Sequence, residues 1–230
     1  MKLALGFSPC PNDTFIFYAI ANRKIGLHSY SFDLCIDDVE ALNRRAIYGS
    51  LPVTKVSCAA YIRLQKTHRF LRSGAAFGRG CGPLVIARKN AQSGSLDGAS
   101  IAIPGELTTA HLLLRLFANA SGFRPARFVP MVFHEIMPAV ASGAVDAGVI
   151  IHEGRFTYAS AGLHALVDLG AWWEQTTRLP IPLGGIIAQS SLGDQVIRDI
   201  EDIIRESLAY ARMHTEEAMP YIRQHAQELS

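Results

Sequence analysis

Apolar runs of strand length alternate with helix-patterned segments along almost the whole chain, and this alternation is the grammar of an α/β fold. The first run, Leu3 to Phe7, passes through Ser8-Pro9-Cys10-Pro11 into a helix expected to open near Asn12 or Asp13, both good N-caps. A second run, Phe32 to Ile36, leads to Asp37-Asp38-Val39-Glu40, whose early acids suit the positive end of a helix that Gly49 would terminate. Leu51 to Val56 reads as a third strand, with Ser57 capping a helix from Cys58 to Gln65.

The pattern breaks between Phe70 and Arg88, where two β-like runs flank a glycine-rich stretch, Gly74 to Pro83, with no helix between them. It then resumes with a strand Ser100 to Ile103, a Pro104-Gly105 turn and a helix from about Thr108 to Asn119. Ala126 to Val132, a helical stretch containing Pro138 that ends at Gly143, Val145 to Ile151, and Ala165 to Leu169 with a helix carrying Trp172 and Trp173 follow. A second break at Leu179-Pro180-Ile181-Pro182-Leu183-Gly184-Gly185 reads as a return crossing, because Pro and Gly redirect a chain without regular hydrogen bonds. Helices from Asp194 to Met213 and Thr215 to Leu229 close the chain. The expected organisation is therefore two lobes, 1–84 with 184–230 and 85–183, with a ligand cleft between them at the carboxyl ends of the strands.

Composition limits what such a chain can serve. At 49% hydrophobic and 18% charged, its 230 residues can bury substantial cores. Lys and Arg total 22 against 20 Asp and Glu, with no long basic run to neutralise a row of phosphates, which speaks against nucleic acid as a partner. Ser8 to Asp13 interrupt the apolar start before a signal-peptide core or a membrane span is complete, so no membrane insertion is expected. The cysteines, Cys10, Cys35, Cys58 and Cys81, contain no CxxC pair and are expected as free thiols in the cytoplasm.

Several residues stand where chemistry is possible. His152 follows the apolar strand Val145 to Ile151, at the end that should face a cleft, and an imidazole with an unperturbed pKa of about 6.5 can accept a proton near neutrality. The alternative is a histidine that only caps a backbone carbonyl. Thr108-Thr109-Ala110 opens a helix after a strand and a turn, so its amides and hydroxyls are suited to an anion; the alternative is an ordinary threonine N-cap. The same reasoning applies to Ser57 with Lys55 and Val56, and to Ser8 and Asn12 in the first turn. Three helix starts of this kind point to a small acidic ligand rather than a polymer. Gly78-Arg79-Gly80-Cys81-Gly82 lacks the GK[ST] and following helix of a phosphate loop, and His134-Glu135 lacks the second histidine of a zinc helix, leaving no metal set.

In its longer motifs the chain resembles the 1,4-dihydroxy-6-naphthoate synthase family of the futalosine route to menaquinone. The resemblance is carried by Ser8 to Phe17, Asp38-Val39-Glu40, Leu42-Asn43-Arg44, Thr54-Lys55-Val56-Ser57, Leu71 to Gly74, Gly78-Arg79-Gly80, Ile150 to Tyr158 and Asp168 to Trp173. It implies a two-lobed type II periplasmic-binding-protein-like fold, each lobe a mixed sheet flanked by helices. It also implies a lyase that converts cyclic dehypoxanthinylfutalosine to 1,4-dihydroxy-6-naphthoate with no metal or organic cofactor. The residue matching the family's proposed base is His152, and the segments matching its substrate contacts are Lys55 to Ser57 and Thr109-Ala110. Family members usually continue for some tens of residues past the position of Ser230. Two other readings remain open: the chorismate dehydratase of the same pathway, which shares the fold, and a solute-binding protein for a small anion.

Overall fold

A computed structural model describes residues 1–89 and 96–225. The chain divides into two compact units, Met1–Ala76 with Gly184–Ser230 and Phe77–Leu183.

The first unit starts with β1 (Lys2–Phe7), α1 (Pro11–Ala21), β2 (Ser31–Ile36), α2 (Val39–Ile47), β3 (Val53–Ser57), α3 (Cys58–Leu64) and β4 (His68–Phe70). The chain passes through β5 (Ala76–Gly78) to the second unit: β6 (Leu84–Arg88), β7 (Ser100–Ile103), α4 (Thr109–Ser121), β8 (Arg127–Pro130), α5 (Phe133–Ser142), β9 (Ala147–Ile150), α6 (Gly154–Thr157), β10 (Leu163–Asp168) and α7 (Leu169–Thr177). It returns in β11 (Ile181–Gln189) and closes with α8 (Asp194–Met213) and α9 (Thr215–His225). The expected helix to Leu229 is described only as far as His225, and the rest lies outside the described residues.

In the first unit the strand order is β2-β1-β3-β11-β4. The pairs β1–β2 and β1–β3 are parallel, while β11 runs antiparallel to β3 and β4, which makes the sheet mixed. One face carries Leu3, Leu5, Phe7, Val53 and Ile186, packed on Ile16, Phe17 and Ile20 of α1 and Ile197, Ile200, Ile203 and Ile204 of α8. Each fully buried Ile contributes about 1.5–3 kcal/mol, so α8 is fixed by the apolar stripe its sequence displays. Ser207, inside that stripe, donates to Ile16 O at 2.6 Å and accepts from Ile20 N at 3.3 Å, tying the two helices together.

The second unit has strand order β10-β6-β9-β7-β8. Its sheet is covered on both faces: α5 packs on Ile86, Ala102 and Ile150, and α4 and α7 pack on Val85, Ile101, Ile103 and Val149. That is why Ala147 to Ile150 is apolar without alternation. Helix α5 keeps Pro138 in its interior and ends on Gly143, whose φ of +82° is the left-handed conformation that glycine adopts without a Cβ clash.

Two expectations are corrected. Helix α1 does not begin on an Asn12 or Asp13 cap: Pro11 takes the first helical position, Cys10 is the N-cap without a side-chain bond, and Asp13 lies in the first turn. The proline ring pre-sets the helical φ, so no capping side chain is needed to start the turn. The return passage is not irregular either, because from Ile181 onward it is strand, with Gly184 opposite Ser57 and Gly185 opposite Val56. The glycines there serve close approach. A Cβ on Gly185 would sit 1.9 Å from Phe70 Cζ, so the ring occupies the space a side chain would need.

Candidate functional site

In the first unit, β1 and β3 run parallel and their carboxyl ends lie at the same end of the sheet, beside the start of α1. Asp13 is 1% exposed, yet it is fully engaged. Its Oδ2 accepts from Ser8 N at 3.1 Å and from Ser8 Oγ at 2.7 Å, and its Oδ1 accepts from Lys55 Nζ in a buried ion pair. Burial by itself would drive the Lys55 ammonium down, but the Asp13 carboxylate facing it reverses the direction and holds Lys55 above its ordinary value. Cys10 lies beside this pair with Sγ 3.0 Å from Ser8 Oγ, and burial, with Asp13 adding to it, pushes its thiol up to about 12. Burial likewise raises Cys58 to about 11. All four cysteines are free thiols, and these two remain protonated at neutral pH.

Ser57 stands at the N-cap of α3, but its hydroxyl makes no cap bond there. Its Oγ accepts from Asn43 Nδ2 at 3.1 Å and its amide donates to Asn43 Oδ1 at 2.9 Å, so α2, and not α3, orients it. Val56 is buried in β3, and Asn12 is exposed on α1. Lys55 and Ser8 thus meet on the buried Asp13, Ser57 is held by Asn43 at the end of the same strand as Lys55, and the exposed Asn12 is in neither group.

In the second unit, β7 and β9 are parallel and β10 shares the direction of β9, since both run antiparallel to β6. The loop into α4, the turn after β9 and the start of α7 consequently gather at one end of the sheet. Thr108 caps α4: its Oγ1 accepts from His111 N at 3.2 Å and donates to Gly105 O at 2.8 Å. Thr109 Oγ1 donates to Leu183 O at 2.9 Å. Both hydroxyl protons are committed within the fold, so an anion at this helix start would be met by backbone amides around Thr109 and the buried Ala110. His111 lies on the same turn. Its Nδ1 is 3.0 Å from Glu106 O, which can only accept, so Nδ1 carries the proton; burial pushes this imidazole below its ordinary value.

His152 is half-buried, two residues past the end of β9, with φ of +54°. A left-handed non-glycine residue costs on the order of 1 kcal/mol or more and persists only where its surroundings hold it. Its ring and that of Phe133, the first residue of α5, form an edge-type contact at a centroid distance of 5.1 Å and an interplanar angle of 69°. Nothing in the residue order signals this backbone conformation.

Arg155 and Asp168 belong to separate motifs 13 residues apart, and the structure makes them a pair. Arg155 Nη2 donates to Asp168 Oδ2 at 2.5 Å and Nη1 donates to Gly82 O at 3.1 Å, while Asp168 Oδ1 accepts from Ala171 N at 2.9 Å and caps α7. Burial opposes the Asp168 charge, yet the guanidinium and the Ala171 amide outweigh it and hold the carboxyl below its usual range. Trp172 packs edge-on against Phe117 at 5.5 Å and Trp173 Nε1 donates to Pro180 O at 3.2 Å, so both indoles are engaged in packing. Among the described residues no three His, Cys, Asp or Glu side chains converge to hold a metal ion, and no helix is long and apolar enough to cross a membrane.

Residues 3–230 match the family described as menaquinone biosynthesis. A Thermus thermophilus protein named 1,4-dihydroxy-6-naphthoate synthase is 52% identical over 228 residues, covering 99% of this chain and 81% of its own length. A Streptomyces coelicolor protein of the same name is 45% identical, with 99% and 80% covered. Among solved structures, an Archaeoglobus fulgidus protein matches with a TM-score of 0.90 at 38% identity, covering 100% of this chain and 83% of that one. A Candida albicans protein described as having the generic periplasmic-binding-protein fold matches at 0.73 and 14% identity, over 99% of this chain and 77% of that one. At that identity the likeness shows the fold alone.

Proposed function

Because this chain belongs to the menaquinone-biosynthesis family, we propose that it is a 1,4-dihydroxy-6-naphthoate synthase, a lyase acting on cyclic dehypoxanthinylfutalosine with His152 as general base. Two relatives of that name, similar over nearly the whole chain, support the reaction. The observation that carries the base is the conformation of His152: a strained, half-buried imidazole just past a strand end, with its ring against Phe133. Arg23, His28 and Arg178 also have a positive φ, so the position of His152 just past the apolar strand β9 supports the reading together with its conformation.

The chemistry asks little more of the protein. His152 removes a proton next to a carbonyl, the electron pair moves toward the carbonyl oxygen, and its return breaks the bond to the small sugar-derived fragment, which leaves with the bonding electrons and takes up a proton as the ring gains the aromaticity of the naphthalene product. Backbone amides at the start of α4 are suited to developing negative charge or to a carboxylate. Within the second unit, His152 and the backbone amides around Thr109 and Ala110 are the groups assigned to the substrate, at the end of the sheet where the loop into α4 and the turn after β9 gather.

The test is to incubate the purified chain with cyclic dehypoxanthinylfutalosine and follow naphthoate absorbance, and in parallel with chorismate, following its consumption by chromatography. Product from the former and none from the latter is expected, and the reverse overturns the assignment. His152→Asn is the informative variant, because asparagine tolerates the left-handed backbone. We expect kcat to fall at least about a hundredfold with the fold intact; unchanged turnover removes His152 as the base.

A further inference from the structure

We infer that Arg155 and Asp168 are positioning residues for His152: their ion pair, anchored on Gly82 O, holds the turn after β9 in the conformation that aims the imidazole. This rests on the reading of His152 as the base. Inside the turn Phe156 N donates to Glu153 O at 2.8 Å and Tyr158 N to Gly154 O at 3.1 Å, bonds that close α6 on Glu153 and Gly154. The turn's left-handed residue is followed by α6, a single turn of four residues, and the bond from Arg155 N to His152 O is long, at 3.5 Å. A segment this short contributes little helical stability of its own.

Three strand ends meet in one row of the sheet next to it. Leu84, at the start of β6, is opposite Ile150 at the end of β9 and opposite Asp168 at the end of β10. His152 leaves from the first of these ends and Asp168 closes the other. The Arg155 guanidinium spans them, with one nitrogen on Asp168 Oδ2 and the other on Gly82 O, just ahead of β6. Asp168 is itself fixed by the Ala171 amide, and Leu169 N donates to Pro83 O at 3.0 Å, so both acceptors of the fork belong to a rigid frame. Arg155 is three residues past His152, and its planar fork allows little rotation once both bonds are made. Loss of the fork lets the turn relax from its strained conformation, and a displacement of about 1 Å at a reacting group can cost on the order of a hundredfold in rate.

Arg155→Lys keeps the charge but cannot reach both acceptors in the same geometry. We expect kcat to fall about tenfold or more with KM within about twofold, and Asp168→Asn to do the same. The deciding measurement is made in the His152→Asn background. If Arg155 acts through His152, Arg155→Lys costs nothing further there; a loss equal to that in the unmodified chain overturns the inference, because the arginine would then act directly or through stability. Far-UV circular dichroism melts establish that each variant folds, and Asp168→Asn serves if Arg155→Lys does not. A second readout needs no turnover. The imidazole resonance that disappears in His152→Asn is followed by carbon–proton correlation spectroscopy, and it should shift in position and in titration midpoint in Arg155→Lys. An unmoved resonance overturns the positioning role even if the histidine proves not to be the base; full turnover by His152→Asn with a moved resonance overturns only the base.

Discussion

Replacing Asp13 by asparagine is the sharpest perturbation of the first unit. The side chains of Asp13 and Lys55 are 1% and 8% exposed, so the pair sits where an unpaired charge is expensive. Asparagine still offers Oδ1 to the Ser8 amide and hydroxyl, which isolates the loss of charge from the loss of those hydrogen bonds. Breaking a buried pair by removing one partner typically costs about 3–5 kcal/mol. For a chain of this size that corresponds to a melting temperature lower by roughly 6–20 °C. Lys55→Met should cost less, because the stranded carboxylate keeps both Ser8 bonds. The double variant should cost clearly less than the sum of the two, with a coupling of about 2 kcal/mol or more. The sign with pH is set by the raised Lys55 value. In the intact protein its stabilisation is complete below the unfolded pKa of about 10.4 and is lost as pH rises through the folded one. In Asp13→Asn the buried ammonium has lost its partner, its pKa falls below the unfolded value, and the penalty is largest at low pH and shrinks toward pH 10. Thermal melts by far-UV circular dichroism at pH 6 and pH 9.5 measure both effects. A melting temperature within about 2 °C of the unmodified chain, or strict additivity in the double variant, refutes the argument.

Two further outcomes follow from the packing. Gly185→Ala places a methyl where the Phe70 ring lies and should destabilise by about 1–3 kcal/mol or more in urea unfolding, with part of the loss recovered when Phe70 is also replaced by Leu; an unchanged midpoint would show that the strand has room. His68 and His111 are both held below their ordinary values by burial, so stability should be complete above about pH 6.5 and fall as pH drops from there toward 5. His111 is flanked by the Arg115 charge and the Glu106 carbonyl, and replacing both histidines by Gln should flatten that slope in melts between pH 7.5 and 5; a slope left unchanged removes them as its source.

Some of this molecule is legible in the residue order, because the physics involved is local. The spacing of Ile197, Ile200, Ile203, Ile204 and Ser207 defines the buried stripe of α8, and the structure places that helix at Asp194–Met213, the expected bounds. Asp38 followed by Glu40 marks the start of α2, and the Asp38 side chain accepts from Glu40 N and Ala41 N. The apolar run before His152 is a strand buried on both faces, and its composition alone carries that information. Only the tertiary structure decides the rest. Asp13 and Lys55 are 42 residues apart, and nothing local pairs them; the parallel register of β1 with β3 brings them together. Arg155 meets Asp168 because β6 is hydrogen-bonded to both β9 and β10, and Gly185 is required because Phe70, from a strand more than a hundred residues earlier, lies over it. Caps and helical stripes depend on neighbours within a turn or two of the chain, whereas charge pairing, close backbone approach and the strained turn at His152 depend on which strands are adjacent, a choice made by burial of both sheets together and written at no single position.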